Sequence, residues 1–127
     1  YLYQKSDVKY TILNALDGYD EISLTGDFKT FSSDGEKINT IESLGFEKLD
    51  PKEITGGSTV KDSADIFMSV LNGEATSAQS NVVLCNAALA IKTIHPEKTF
   101  GDCFYEADEA LLSKKALTSF KTLISSN

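Results

Sequence analysis

The chain has 127 residues, 41% of them hydrophobic and 24% charged, and its formal net charge is −7. That size fits one compact domain or a piece of a larger one. The acidic balance excludes a duplex nucleic-acid partner, which demands a basic face that displaces counterions. No apolar run approaches the ~20 residues that span a bilayer. The opening Tyr1-Leu2-Tyr3-Gln4-Lys5 has neither the basic lead nor the apolar stretch of a signal peptide, so a cytoplasmic location without membrane contact is expected.

Residues 1–8 read as the end of a truncated helix, because the chain opens on Tyr1 with nothing before it to complete a helix. Residues 9–45 read as strands. Lys9 to Leu16 carry β-branched and aromatic side chains with little alternation, the pattern of a strand buried on both faces in a parallel α/β sheet. Asp17-Gly18-Tyr19-Asp20 interrupts it as a turn, and Glu21 to Thr25 alternates polar with apolar as a second strand would. Asp27 to Phe31 and Lys37 to Ile41 flank Ser33-Asp34-Gly35-Glu36, a hairpin signal in which Asp-Gly supplies positive φ angles.

From residue 42 to 57 the periodicity disappears, and Gly45, Pro51 and Gly56-Gly57 mark a loop. Residues 58–124 read as helices. Thr59 with Asp62 forms a capping pair, Asn72-Gly73 supplies a stop, Ser77 caps the next helix, and Thr99 with Asp102 repeats the pattern. Phe100, Cys103, Phe104, Ala107 and Leu111 form an apolar stripe that Leu117, Phe120 and Ile124 resume. Lys114, Lys115 and Lys121 read as the solvated face of this terminal helix. The order is therefore strands first, helices afterwards: an α/β arrangement with a small mixed sheet, a hairpin and three or more helices. Strands and helices do not alternate as they do in an independent doubly wound domain.

Few residues carry chemistry. Cys85 and Cys103 lie in apolar helical segments and read as reduced core thiols, since two cysteines make no disulfide scaffold. His95 precedes Pro96 at a helix end and reads as a loop residue. Gly56-Gly57 lacks the fingerprint of a phosphate loop. The informative segment is Asp17-Gly18-Tyr19-Asp20-Glu21, with three carboxylates directly after a strand, where α/β proteins place ligand sites. Magnesium is typically held by one or two carboxylates together with substrate phosphates. Asp20 and Glu21 can reach one ion together if they sit in a turn, because in a strand they would point to opposite faces. By itself, an acidic turn is more often simply solvated. Asn86, in the middle of an apolar helix, reads as a hydrogen-bonded packing residue.

Three stretches, in order, carry a resemblance. Tyr10-Thr11-Ile12-Leu13-Asn14 is followed by Asp17-Gly18-Tyr19-Asp20-Glu21-Ile22-Ser23-Leu24-Thr25-Gly26. Gly56-Gly57 precedes a helix with Ala64, Ile66 and Phe67, then Leu71-Asn72-Gly73-Glu74. Val82-Val83-Leu84-Cys85-Asn86-Ala87-Ala88-Leu89-Ala90 is the third. From Tyr10 to the end this pattern resembles the C-terminal part of the anthranilate phosphoribosyltransferases, within the nucleoside-phosphorylase-like glycosyltransferases.

The resemblance implies a C-terminal fragment, residues 1–127, of a single α/β catalytic domain. The pentosyltransferase it comes from moves a phosphoribosyl group from phosphoribosyl pyrophosphate to anthranilate in tryptophan biosynthesis. It implies magnesium as cofactor, held at Asp20 and Glu21, and a homodimeric parent. No catalytic or substrate-binding residue carries over. The family's phosphoribosyl pyrophosphate loop, its Lys-His-Gly-Asn segment and its anthranilate-contacting arginine would lie before Tyr1. The fragment alone is therefore expected to be inactive and prone to self-association. Asn14-Ala15 stands where the family has His-Gly, and Ser58 where it has Asp. Two alternatives share parts of this reading: a piece of a pyrimidine or thymidine phosphorylase, and a non-catalytic scaffold or partner-binding module.

Overall fold

A computed structural model describes residues 3, 5 and 7–126. Tyr1, Leu2, Gln4 and Ser6 fall outside the described residues, so the expected helix end over residues 1–8 does too. Three strands, β1 (Thr11–Ala15), β2 (Phe28–Ser32) and β3 (Gly35–Asn39), form one sheet in the order β1-β2-β3. Both pairings are antiparallel, with Leu13 opposite Thr30 and Thr30 opposite Lys37.

The expectation that the first strand is buried on both faces, as in a parallel sheet, is corrected. β1 alternates between half-buried and exposed positions, and Ile12 is 48% exposed. The helices cover one face, so Leu13, Ala15 and Phe28 turn inward to the core. Ile12, opposite Phe31, and Ile38, opposite Lys29, lie on the other face. The hairpin between β2 and β3 turns at Ser33-Asp34. Of the expected Asp-Gly pair only Gly35 has a positive φ, at 101°.

The segment from residue 42 to 57 holds two short 3-10 turns, Glu42–Leu44 and Pro51–Ile54. The second is opened by a capping box between Asp50 and Glu53 with proline at its start, where the missing N–H is no loss. Helix α1 (Val60–Leu71) begins at the Thr59–Asp62 capping box and stops at Asn72-Gly73, with Gly73 at φ 66°. Helix α2 (Ser77–Ile94) starts one residue earlier than the Ser77 signal: Thr76 is the cap, paired with Gln79. Helix α3 (Phe100–Leu112) uses the Thr99–Asp102 box, as its sequence predicts.

Helix α4 (Lys115–Ser125) is separate from α3. The six-residue step from Leu111 to Leu117 would put the two on different faces of one continuous helix, since neighbours on a face lie three or four apart. A break at Ser113-Lys114, with Lys114 in the left-handed region at φ 62°, re-aims the stripe. The Lys114 ammonium then reaches across to the Asn72 carbonyl at the end of α1. Phe120 meets Phe67 edge-on, ring centroids 4.9 Å apart.

One core joins the sheet to α2 through Ile22, Leu24, Phe28, Ile41 and Cys85; a second joins α1, α2 and α3 through Val70, Leu84, Ala107 and Leu111. Cys85 and Cys103 are both free and fully buried, and burial pushes the Cys85 thiol up to about 12. His95 sits at the C-terminal end of α2, its exposed ring 3.3 Å from Glu97. Among the described residues no helix is long and apolar enough to cross a membrane.

Candidate functional site

The segment from residue 17 to 26 connects β1 to β2, and its neck is closed by the Leu16 N–H donating to the Asp27 carbonyl at 2.9 Å. The expected strand at residues 21–25 is not formed. Ile22, Ser23, Leu24 and Thr25 are buried, but Leu24 adopts a left-handed backbone at φ 60°. That conformation breaks an extended ladder, and in a buried leucine it persists only where the surroundings enforce it. The alternation that suggested a strand is that of a loop folded inward on itself.

Two polar devices enforce it. At the start of the loop, the Asp17 carboxylate accepts the Ser23 hydroxyl at 2.7 Å and the Thr25 hydroxyl at 2.5 Å, with a longer bond from the Tyr19 N–H at 3.4 Å. Burial raises the Asp17 pKa, but the hydroxyl and backbone donors outweigh it and hold the carboxyl below its ordinary value. In the middle of the loop, Asn86 of α2 grips the backbone of Ile22. Its Oδ1 accepts the Ile22 N–H at 2.9 Å, and its Nδ2 donates to the Ile22 carbonyl and to the Val82 carbonyl, both at 2.8 Å. The amide thus serves Ile22 as a neighbouring strand would, satisfying groups that would otherwise be costly to leave unpaired.

Asp20 and Glu21 lie between these two fixed points. Both are exposed, and neither has a hydrogen bond or ion pair to another described residue. The structure therefore separates the three carboxylates of the acidic turn. Asp17 is occupied by its own loop, whereas Asp20 and Glu21 remain available to solvent. They sit in a bend rather than a strand. Among the described residues no group of three or more His, Cys, Asp or Glu side chains is placed to hold a metal. The side chains that could hold a hard cation here are these two carboxylates, with water and phosphate needed for its remaining contacts.

Asn86 is a hydrogen-bonded packing residue, as its position in the sequence suggests, but its partner is invisible there, 64 positions away. Ser58, where the family has Asp, donates its N–H and hydroxyl to Asp62 and belongs to the cap of α1. A separate cleft of about 680 Å³ opens between the hairpin and the C-terminal half of α2, lined by Thr30, Lys37, Lys92 and Thr93 among others. Asp20 and Glu21 are not part of it. The Lys92 ammonium there is engaged by the Pro96 and Lys98 carbonyls, and Lys9 by that of Ile94.

The fold is shared with the C-terminal portion of a solved phosphoribosyltransferase. A solved anthranilate phosphoribosyltransferase from Saccharomyces cerevisiae, in complex with PRPP and Mg, superposes with a TM-score of 0.80 at 18% identity, over 91% of this chain and 33% of that one. The same yeast enzyme in complex with 4-fluoroanthranilate gives a TM-score of 0.80. No protein-family model matches the chain.

In sequence the relationship is much nearer. The anthranilate phosphoribosyltransferase of Bacteroides thetaiotaomicron is 46% identical over 127 residues, all of this chain and 38% of the relative. That of Christiangramia forsetii is 47% identical over 126 residues. Along its whole length the chain is thus similar to a stretch of anthranilate phosphoribosyltransferases, and it spans about 38% of the length of the curated relatives it matches.

Proposed function

We propose that the chain is the C-terminal portion of a cytoplasmic anthranilate phosphoribosyltransferase whose full-length form is a homodimer, and that it contributes Asp20 and Glu21 as the magnesium-holding side of the active site. The observation that carries this reading is the loop itself. Two exposed carboxylates without protein partners among the described residues stand between two hydrogen-bonded anchors, Asp17 and Asn86, in a chain 46% identical to enzymes of that name.

Magnesium bound there would neutralise charge on the departing pyrophosphate and orient it. The chain's own residues do the rest of this side of the work. Asp20 and Glu21 supply oxygen ligands, and the loop holds those oxygens toward solvent, where phosphates can complete the shell. All twelve basic residues are lysine, so the planar guanidinium that grips a carboxylate with two parallel bonds is not supplied by this stretch. The aromatic amine and the ribosyl donor must be held by the remainder of the enzyme. Proximity of the reactants is a large share of such catalysis, so the chain alone is proposed to be inactive.

The test is a graft. These 127 residues replace their counterpart in the Bacteroides thetaiotaomicron enzyme, and anthranilate fluorescence is followed across a magnesium titration. The expected result is turnover by the graft, with Asp20→Asn combined with Glu21→Gln lowering it and moving the magnesium midpoint upward by about tenfold or more. A graft that folds and dimerises but is inactive at every magnesium concentration contradicts the reading. So does a double variant with an unchanged magnesium curve.

A further inference from the structure

We infer that Asn86 is the positioning residue of the carboxylate pair: it sets where Asp20 and Glu21 stand, without touching a ligand itself. The inference rests on the magnesium reading above and deepens it.

Adjacent carboxylates repel one another, and a merely solvated turn relieves that repulsion by staying mobile. This turn is instead pinned on both sides, at considerable local expense. Upstream, Asp17 is tied to Ser23 and Thr25. Downstream, one half-buried amide in the interior of a helix is spent entirely on backbone groups, two of its three bonds going to the residue directly after Glu21. Leu24 is held in a left-handed conformation two residues further on, itself 1% exposed.

Of these two side-chain anchors, Asn86 alone comes from another element. Asp17 makes the loop compact, and the Leu49 N–H holds the Leu24 carbonyl at 2.8 Å. Asn86 ties the loop backbone, directly beside Glu21, to α2, whose Cys85 and Leu89 pack on the same core as Ile22. A site held to a fraction of an ångström requires a supporting residue of this kind. Losing an outer partner of a metal ligand typically weakens metal binding by about 10- to 100-fold.

The experiment uses the 127-residue chain, isotope-labelled for NMR, with Mn2+ as a paramagnetic stand-in for magnesium, since both favour carboxylate oxygen. Asn86→Leu and Asn86→Ser are both neutral, so neither changes the charge seen by the ion. If the leucine variant does not fold, the serine variant carries the test. Two quantities are read: the exchange rate of the Ile22 amide, and the Mn2+ concentration that half-broadens the amides of residues 19–22.

In the wild-type chain, broadening is expected to centre on those residues. In the variants, exchange at Ile22 should accelerate by about tenfold and the half-broadening concentration rise by about tenfold, while amides of α2 and α3 keep their protection. Wild-type broadening at the loop with unchanged metal binding or an equally protected Ile22 in the variants overturns the role of Asn86 and leaves the metal reading standing. Wild-type broadening that is absent or scattered over other acidic residues overturns the metal reading, and the positioning role with it.

Discussion

Asp17 lies directly against Gly26: a Cβ built on the glycine would sit 2.7 Å from both the Cβ and one carboxylate oxygen of Asp17. Gly26 is buried and its φ is not in the left-handed region, so the requirement for glycine here is one of space. The two ends of the loop thus meet through a missing side chain on one and a hydrogen-bonded carboxylate on the other.

Gly26→Ala is therefore expected to destabilise the chain by about 1–3 kcal/mol, the usual cost of overpacking. Urea unfolding measures it. The same substitution in an Asp17→Gly background should cost markedly less, because the Cβ and carboxylate atoms it strikes are gone. Equal costs in both backgrounds would mean the contact is not what excludes a Cβ.

The Asp17 carboxyl is held below its ordinary value, so its contribution to stability has a definite sign. Such a group stabilises fully above the unfolded-state pKa, and the stabilisation is lost as pH falls through the lower folded value. The stability difference between wild type and Asp17→Asn should then be constant from neutral pH down to about 5. It should shrink as the pH drops through and below the ordinary carboxylate range near 3.8. Asp62 and Asp102, held low by cap hydroxyls, add to the acid limb of both proteins equally and cancel in the difference. A difference that grows on acidification would reverse the assignment.

Both thiols are inaccessible, and burial drives the Cys85 pKa to about 12, so almost no thiolate exists at pH 8. The thiolate is the reactive form. Labelling by a disulfide reagent should therefore follow unfolding and accelerate with urea in step with the loss of structure. A fast phase in native buffer would place one of the cysteines on a mobile surface.

The outward face of the sheet presents Ile12 at 48% and Ile38 at 58% exposure, and β1 and β3 each have one edge unpaired among the described residues. Unpaired edges beside exposed apolar side chains template association. Light scattering of the isolated chain is expected to show mass rising with concentration, with Ile12→Lys and Ile38→Lys together suppressing the rise. A clean monomer at high concentration would remove this prediction.

The isolated chain is also expected to consume no anthranilate at any magnesium concentration. Two carboxylates bind a reluctantly dehydrated ion weakly when the phosphates that complete its shell are not held nearby. Fluorescence loss above the no-protein control would show that more of the site resides here than its side chains indicate.

Local chemistry was legible from the sequence alone. The capping boxes at Thr59 and Thr99, the Asn72-Gly73 stop and the hairpin at Gly35 are each decided within four or five residues, by side-chain oxygens reaching nearby N–H groups or by a glycine's freedom. The acidic turn was legible too, and so was the kinship carried by its neighbours. The tertiary structure decided the rest. It turned residues 21–25 from an alternating strand into an inward-folded loop, and it divided the final stripe into α3 and α4. It made β1 one-faced, and it split the three carboxylates of residues 17–21 into one hydrogen-bonded within its loop and two without partners among the described residues. Each outcome depends on a partner distant in the chain: Asn86 for Ile22, Asn72 for Lys114, and the helices for one face of β1. Periodicity reports which side chains seek burial. It does not report which backbone groups a remote amide will satisfy, and in this loop that choice determined the conformation.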